Sequence, residues 1–522
     1  MKKRIDLFFS LFLIVFLLFG CASLPENVKR TPSTAYQDTS DTTFGRVAQA
    51  LQEGQSEETS GYLLLNNGLD AFVARARLAQ MAEKSIDTQY YMIHNDVVGS
   101  LFVDQLIEAA ERGVRVRILV DDIDQGGRDF GTAVLDSQPN IEVRIFNPFA
   151  RNRGRISQYV TGFGRQTRRA HNKSFTVDNQ ATILGGRNIG DEYFEADPEL
   201  AFIDIDVLSI GPVANRVSAS FDQYWNSELS YPISALVEKA PTESEIIKRK
   251  SQFDAYIDAL FDSAYLKALR DSDLSHRLKD HQVSFQLATG TVVADDPEKL
   301  THDIDETRYR LTEQLRPFVQ NIQEELIISS PYFVPGKSGV AFFQRLREKG
   351  VRVRILTNSL SSTDVSIVHA GYARYRKALL RMGVELYELN VKLTRAQQKA
   401  RNKEKVGRSK SSLHAKAFVM DRETVFIGSL NLDPRSIVQN TEIGVVFKSS
   451  AIASRLADGF DNNIDKAAFR LELKKSANGA ETIHWHGYVD GNMQTLRHEP
   501  YTGFWKRFGI GLMRILPIES QI

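Results

Sequence analysis

One eighteen-residue pattern occurs twice in this chain, and it constrains the fold more tightly than any single segment can. From His171 it reads HNKSFTVDNQATILGGRN, and from His414 it reads HAKAFVMDRETVFIGSLN. Each copy is His-x-Lys, four residues, Asp, six residues, then Gly-(Gly/Ser)-x-Asn, with no slippage at any fixed position. A second identity lies upstream of each copy: GVRVRIL at residues 113–119 and again at residues 350–356. Before these heptapeptides, Phe102, Leu106, Ala109 and Ala110 fall on one helical face, as do Phe342, Phe343 and Leu346. Each predicted helix ends at a glycine, where left-handed backbone costs little, and leads into alternating Val and Arg, the period of a strand. The chain is therefore two copies of one α/β unit. Each is predicted to be a central mixed sheet flanked by helices, the two related by a pseudo-twofold axis.

The conserved spacing carries chemistry. His-x-Lys on a strand places both side chains on one face, because side chains alternate. The Gly-x-x-Asn that follows is predicted to end a second strand, with Gly185 and Gly428 permitting tight backbone and Asn188 and Asn431 offering amide donors. His171, Lys173, Asn188, His414, Lys416 and Asn431, brought together, make the cationic, donor-rich pocket that a phosphoryl group in transfer needs. Asp178 and Asp421, at DN and DR dipeptides, are expected to cap turns and act structurally. The second copy has Ser429 where the first has Gly186, so a hydroxyl is missing on one side. A zinc reading of the two histidines fails: the residue two positions on is a lysine, which repels a cation, and the single cysteine lies far away. Neither metal nor organic cofactor is expected. Tyr90, Tyr91, Tyr332 and His369 are expected to line the substrate pocket, with core packing as the competing reading for each aromatic.

Charge is balanced overall, 66 Lys and Arg against 65 Asp and Glu, so the whole chain is no obvious polyanion binder. Locally it is uneven. No acid falls between Glu142 and Asp178, while Arg144, Arg151, Arg153, Arg155, Arg165, Arg168, Arg169 and Lys173 do. A second basic run, from Lys392 to Lys416, is interrupted only by Glu404. Both runs lead into a His-x-Lys, which favours an anionic substrate surface. The N-terminus has Lys2, Lys3 and Arg4 ahead of an apolar stretch too short to span a bilayer, the layout of a signal segment. It ends at Cys21, the sole cysteine, in a context that suits lipidation.

The boundaries follow: a leader at residues 1–21, a polar tether at 22–60, a first unit at 61–230, a helical connector at 231–282, a second unit at 283–470 and a tail at 471–522. The tail's mix of aromatic, basic and aliphatic residues suits either a bilayer interface or a helix closing on the core.

The paired motif resembles that of the phospholipase D superfamily. IDTQYYMIHND, RRAHNKSFTVD, GGRNIGDEYF, FIDIDV, LTNSL, VHAGYARYRKALL, GSLNLDPRS and FWKR resemble, more closely, its bacterial cardiolipin synthase branch. That resemblance implies two tandem domains of phospholipase D type and a metal-independent phosphatidyltransferase. It implies that one histidine attacks phosphorus to form a phosphohistidine and that the other protonates the leaving alcohol and deprotonates the incoming one; His171 is preferred as the nucleophile and His414 as the acid and base, roles that the symmetry of the two motifs leaves interchangeable. Glu442, in TEIGVVF, resembles the carboxylate that orients a catalytic histidine in this family; in the first half Asp204 is preferred to Asp206 for that part. The implied partners are membrane phospholipids, phosphatidylglycerol and phosphatidylethanolamine, at a bacterial membrane with a lipid anchor facing the periplasm. Nucleic acid is not expected, because no base-stacking platform is evident. Hydrolysis by the same chemistry, and a non-catalytic anionic-lipid scaffold, are the alternatives.

Overall fold

The computed structural model describes residues 23–152, 154, 155, 157, 158, 166–197, 200–280, 282–392 and 410–514. The leader, Cys21, Arg153, Arg165 and most of the second basic run fall outside them. The first half contributes β1 (Thr59–Leu65), β2 (Ser85–Tyr90), β3 (Arg115–Asp121), β4 (Ile141–Phe146), β5 (Ser174–Val177), β6 (Ala181–Gly185), β7 (Leu200–Ile203), β8 (Asp206–Ile210) and β9 (Ser230–Pro232). The second half contributes β10 (Gln286–Ala294), β11 (Glu325–Ser329), β12 (Arg352–Thr357), β13 (Glu385–Leu389), β14 (Lys410–Leu413), β15 (Ala417–Met420), β16 (Thr424–Gly428), β17 (Ile443–Lys448), β18 (Ala468–Lys475), β19 (Glu481–Val489) and β20 (Asn492–Leu496).

The pairings make the repeat explicit. Through the first half the sheet runs β9-β4-β3-β2-β5-β6-β8-β1. Through the second it runs β10-β17-β16-β15-β11-β12-β13-β18-β19-β20. In both halves the strands before and within GVRVRIL are parallel, and the motif strands are antiparallel. β1 and β10, equivalent strands of the two copies, pair antiparallel and join the halves into one 18-stranded sheet. β7 and β14 form a small parallel sheet of their own, one strand from each half.

Packing follows the apolar pattern. In the helix Val97–Glu111, Phe102, Leu106, Ala109 and Ala110 are all buried, and in Gly336–Glu348 Phe343 and Leu346 are. Both helices lead to a glycine at positive φ, Gly113 at 94° and Gly350 at 89°, as a left-handed cap requires. Between the halves lies a shared core of Tyr62, Leu184, Val207, Ile427, Val445 and Phe447, with the Tyr62 and Phe447 rings stacked 4.2 Å apart. No helix among the described residues is long and apolar enough to cross a membrane.

Two expectations need correcting. The polar segment read as a tether is, from residue 23 on, held against the first unit. Arg30 donates to the Ser230 and Glu228 carbonyls, and Ala35 N–H to Asp222. The helix Thr43–Gln52 buries Phe44 and Ala48. Its few apolar residues share one face, which average polarity conceals. The basic run before His171 is likewise not an open cationic surface. Arg169 is buried on Asp121, Arg151 bonds Asp122 and Asp129, Arg155 bonds Asp122, and Arg144 bonds Glu142. Arg168 donates to the Leu300 and His302 carbonyls. These arginines brace the loop rather than meet a substrate.

Candidate active site

His171 and Lys173 lie in the extended segment just before β5, and His414 and Lys416 just before β15, rather than inside those strands. Each segment is fixed by the opposite half. His171 N–H donates to the Thr441 carbonyl at 2.8 Å, and His414 N–H to the Ile203 carbonyl at 2.8 Å. Thr441 and Ile203 each stand one residue before a carboxylate. Glu442 Oε2 lies 2.8 Å from His171 Nδ1, and Asp204 Oδ2 lies 2.6 Å from His414 Nδ1. Each histidine is thus oriented by an acid from the other repeat. Asp204 sits in the link between β7 and β8 rather than within a strand, and its neighbour Asp206 is taken by Arg75 and Arg187.

The carboxylates fix the tautomers. With Nδ1–H donated to an acid, Nε2 is the nitrogen left to attack phosphorus or to carry a transferable proton. All of these groups are buried: His171 is 9 % exposed, His414 6 %, Lys173 1 % and Lys416 0 %. Burial, reinforced by the lysine ammoniums, lowers the pKa of both imidazoles well below the ordinary value. Burial pushes the Glu442 carboxyl up to about 7, against the pull of Lys173, and raises Asp204. It lowers Lys416 to about 8 and Lys173 well below its usual value. Each lysine donates back to the carbonyl of its own histidine, Lys173 at 2.7 Å and Lys416 at 2.6 Å. An ammonium has three protons, so donors remain for phosphoryl oxygens.

The Gly/Ser difference between the copies has a steric cause. A Cβ on Gly186 would stand 2.5 Å from Asp204 Oδ1. In the second copy the acid is the longer Glu442, and Ser429 fits beneath it, its hydroxyl donating to Glu442 Oε2. Gly185 and Gly428 serve close approach: a Cβ on either would collide with the neighbouring strand, at Asp206 and at the Ile443 carbonyl. Asp178 and Asp421 stand away from the histidines. Each begins a two-residue turn at positive φ, and its carboxylate accepts three successive backbone N–H groups, Glu83 to Ser85 or Gln323 to Glu325.

The pocket residues divide. The Tyr91 ring lies 5.0 Å from the His171 ring, with Lys173 Nζ 5.4 Å from its centroid. Tyr332 donates to Asp364 at 2.6 Å, on a loop whose charge reaches Lys416. Tyr90 turns the other way, as alternation dictates, and its buried hydroxyl accepts from Arg75. His369 is also not at the site: it is buried beside Glu499, which Arg376 holds. Sequence reasoning missed Tyr193 and Phe202, whose rings lie 5.1 and 5.0 Å from His414. It also missed Ser436. The Asn188 amide donates to the Tyr193 hydroxyl and the Asn431 amide to Ser436, so these nitrogens are not aimed solely at substrate. Both partners lie five residues past their asparagine, a repeated spacing that held the signal. Among the described residues His94, Asp96 and Glu192 bring possible metal-ligand atoms within 4.8 Å, but both Asp96 oxygens already accept backbone N–H groups.

Two buried imidazoles, each backed by the other half's acid and flanked by ammoniums, in a duplicated mixed sheet, define an enzyme of the phospholipase D superfamily. The sequence model of the cardiolipin synthase, PLD-like domain matches residues 76–225 and 315–464, and the chain belongs to that family. It is 42 % identical over 465 residues to cardiolipin synthase C of Escherichia coli, covering 88 % of this chain and 95 % of that one. It is 33 % identical to an uncharacterized protein of Helicobacter pylori, over 98 % of this chain and 99 % of that one. Among solved structures, phosphatidylserine synthase of Haemophilus influenzae superposes with a TM-score of 0.56 at 12 % identity, over 91 % of this chain and all of that one, and shares the fold.

Proposed function

We propose that this enzyme is a phosphatidyltransferase that makes cardiolipin from phosphatidylglycerol and a second phospholipid through a phosphohistidine. The observation that carries the reading is the reciprocal pairing of each histidine with the other repeat's carboxylate, Glu442 with His171 and Asp204 with His414. The relative in Escherichia coli, similar over nearly its whole length, supplies the substrate class.

In this reading His171 Nε2 attacks the phosphorus of phosphatidylglycerol or phosphatidylethanolamine while Glu442 steadies the positive charge that develops on the ring. The P–O bond breaks, and the departing glycerol or ethanolamine oxygen takes the Nε2 proton of His414, which enters this step as an imidazolium held through Nδ1–H by Asp204. A hydroxyl of a second phosphatidylglycerol then gives its proton to His414, attacks the phosphorus and releases His171. Lys173 and Lys416 neutralise the non-bridging oxygens. His171 is taken as the nucleophile; Lys416 Nζ lies 2.9 and 3.1 Å from the two ring nitrogens of His414 and does not by itself separate the roles. The enzyme works at a bacterial membrane, held there by lipid on Cys21 and facing the periplasm.

Purified enzyme in vesicles of labelled phosphatidylglycerol tests this. Cardiolipin with release of glycerol is expected. Phosphatidic acid without cardiolipin would identify a hydrolase, and vesicle binding without any product would identify a scaffold.

A further inference from the structure

Among the described residues, five of the thirteen exposed large apolar side chains lie on one helix. On the helix Phe504–Met513, Phe504, Trp505, Phe508 and Leu512 are between 59 % and 78 % exposed. Residues 504, 508 and 512 recur every four positions and form one stripe. The Phe504 and Phe508 rings stack 6.3 Å apart, and Trp505 meets both edge-on. The helix is not loose. Its other side buries Ile510 against Leu360 and Ala370, and Lys506 donates to the Leu360 carbonyl at 2.8 Å. It is therefore held by one face while presenting the other.

Its anchorage leads to the site. Leu360 lies in the loop after β12, and two residues earlier the Asn358 amide both donates to and accepts from the backbone of Leu413, the neighbour of His414. Lys506, Arg507 and Arg514 put positive charge along the helix, and residues 504–514 include no acid. Aromatic residues with flanking cations are the composition of a membrane interface, where rings lie among headgroups and the cations meet anionic lipid. One face of a ten-residue helix is also a small area for a stable pair of subunits, in which each partner contributes about 800 Å².

We propose that Phe504–Met513 is a bilayer-docking helix. It lies in the plane of an anionic phospholipid leaflet with Trp505 and the 504/508/512 stripe sunk about 5–10 Å into the boundary between headgroups and acyl chains. It thereby sets the His414 side of the active site at the surface that supplies the lipid. The purpose of this docking rests on the phosphatidyltransferase reading, but its existence can be tested without it.

The chain has three tryptophans, of which Trp225 and Trp485 are buried, so lipid-dependent fluorescence reports Trp505. Full-length enzyme is mixed with phosphatidylglycerol–phosphatidylethanolamine vesicles brominated at a shallow acyl carbon. A blue shift and quenching, both lost in Trp505→Phe, are expected. Enzyme that cosediments with vesicles while Trp505 stays unquenched overturns the proposal, as does concentration-dependent self-association that shields Trp505 without lipid. In a second arm, the Trp505→Glu/Phe508→Glu double variant should turn over long-chain phosphatidylglycerol in vesicles about tenfold or more slowly, yet use monomeric short-chain phosphatidylglycerol at the parental rate. Equal loss on both substrates would mark the helix as merely structural and overturn the proposal. If the parental enzyme uses neither lipid, the phosphatidyltransferase reading fails, and the quenching result still decides docking.

Discussion

Glu442 holds the His171 ring from 271 positions along the chain, its Oε2 2.8 Å from Nδ1, and the two residues belong to different repeats. Asp204 holds His414 in the same crossed fashion at 2.6 Å. Neither half pairs its own histidine with its own acid.

Glu442→Gln keeps the shape but removes the charge that offsets a developing imidazolium. We expect kcat to fall about 10²- to 10⁴-fold with the circular dichroism spectrum unchanged. Steady-state assay on phosphatidylglycerol vesicles checks this; a loss smaller than about tenfold contradicts an orienting role for the residue.

The asymmetry between Gly186 and Ser429 makes a paired prediction. Gly186→Ser forces a Cβ into the Asp204 carboxylate and should displace it from His414, lowering kcat by about tenfold or more and stability by about 1–3 kcal/mol. Ser429→Gly only deletes one donor to Glu442 and should cost less in both assays. The reverse order in kcat would show that the hydroxyl, not the space, matters.

Activity should depend on pH in a bell. Glu442, raised to about 7 by burial, must be ionised to accept the His171 proton, so kcat/KM falls as pH drops through that value. Lys416, lowered to about 8 by burial, loses its charge above that value and with it the attraction for phosphoryl oxygens, so kcat/KM falls again. The acid limb should vanish in Glu442→Gln. A profile flat between about pH 6 and 9 is incompatible with this electrostatic arrangement.

Asp178 and Asp421 should matter to stability rather than to chemistry. Alanine at Asp421 removes the acceptor of three backbone N–H groups at the start of β11, two of them on exposed residues, and should destabilise the fold by about 1–3 kcal/mol. Denaturant unfolding reads that loss, and turnover per folded molecule should remain within about twofold of the parent.

Much of this was legible in the sequence because it repeats. Two identical GVRVRIL strands and two aligned motifs set the fold class, and the capping glycines Gly113 and Gly350 lie where the periodicity puts them. Glu442 was legible as an acid in the apolar segment TEIGVVF, although the structure places it just before β17 rather than inside the strand. Tertiary partners were not. The arginines before His171 read as a substrate surface because Asp121, Asp122 and Asp129, which neutralise them, lie well upstream. Tyr90 and Tyr91 are adjacent in sequence but face opposite sides of the sheet, and only the register with Arg75 and His171 separates them. The helix Thr43–Gln52 was lost in a polar average although Phe44 and Ala48 share a face.

The central claim is that two histidines share one phosphate and that His171 carries it. Acid-free quenching of the His414→Ala variant after brief exposure to phosphatidylglycerol, followed by peptide mass spectrometry, tests this most directly. The account predicts a phosphatidyl adduct on the peptide containing His171 and none in His171→Ala. An adduct on His414 of the His171→Ala protein, or normal cardiolipin synthesis by either variant, would contradict it.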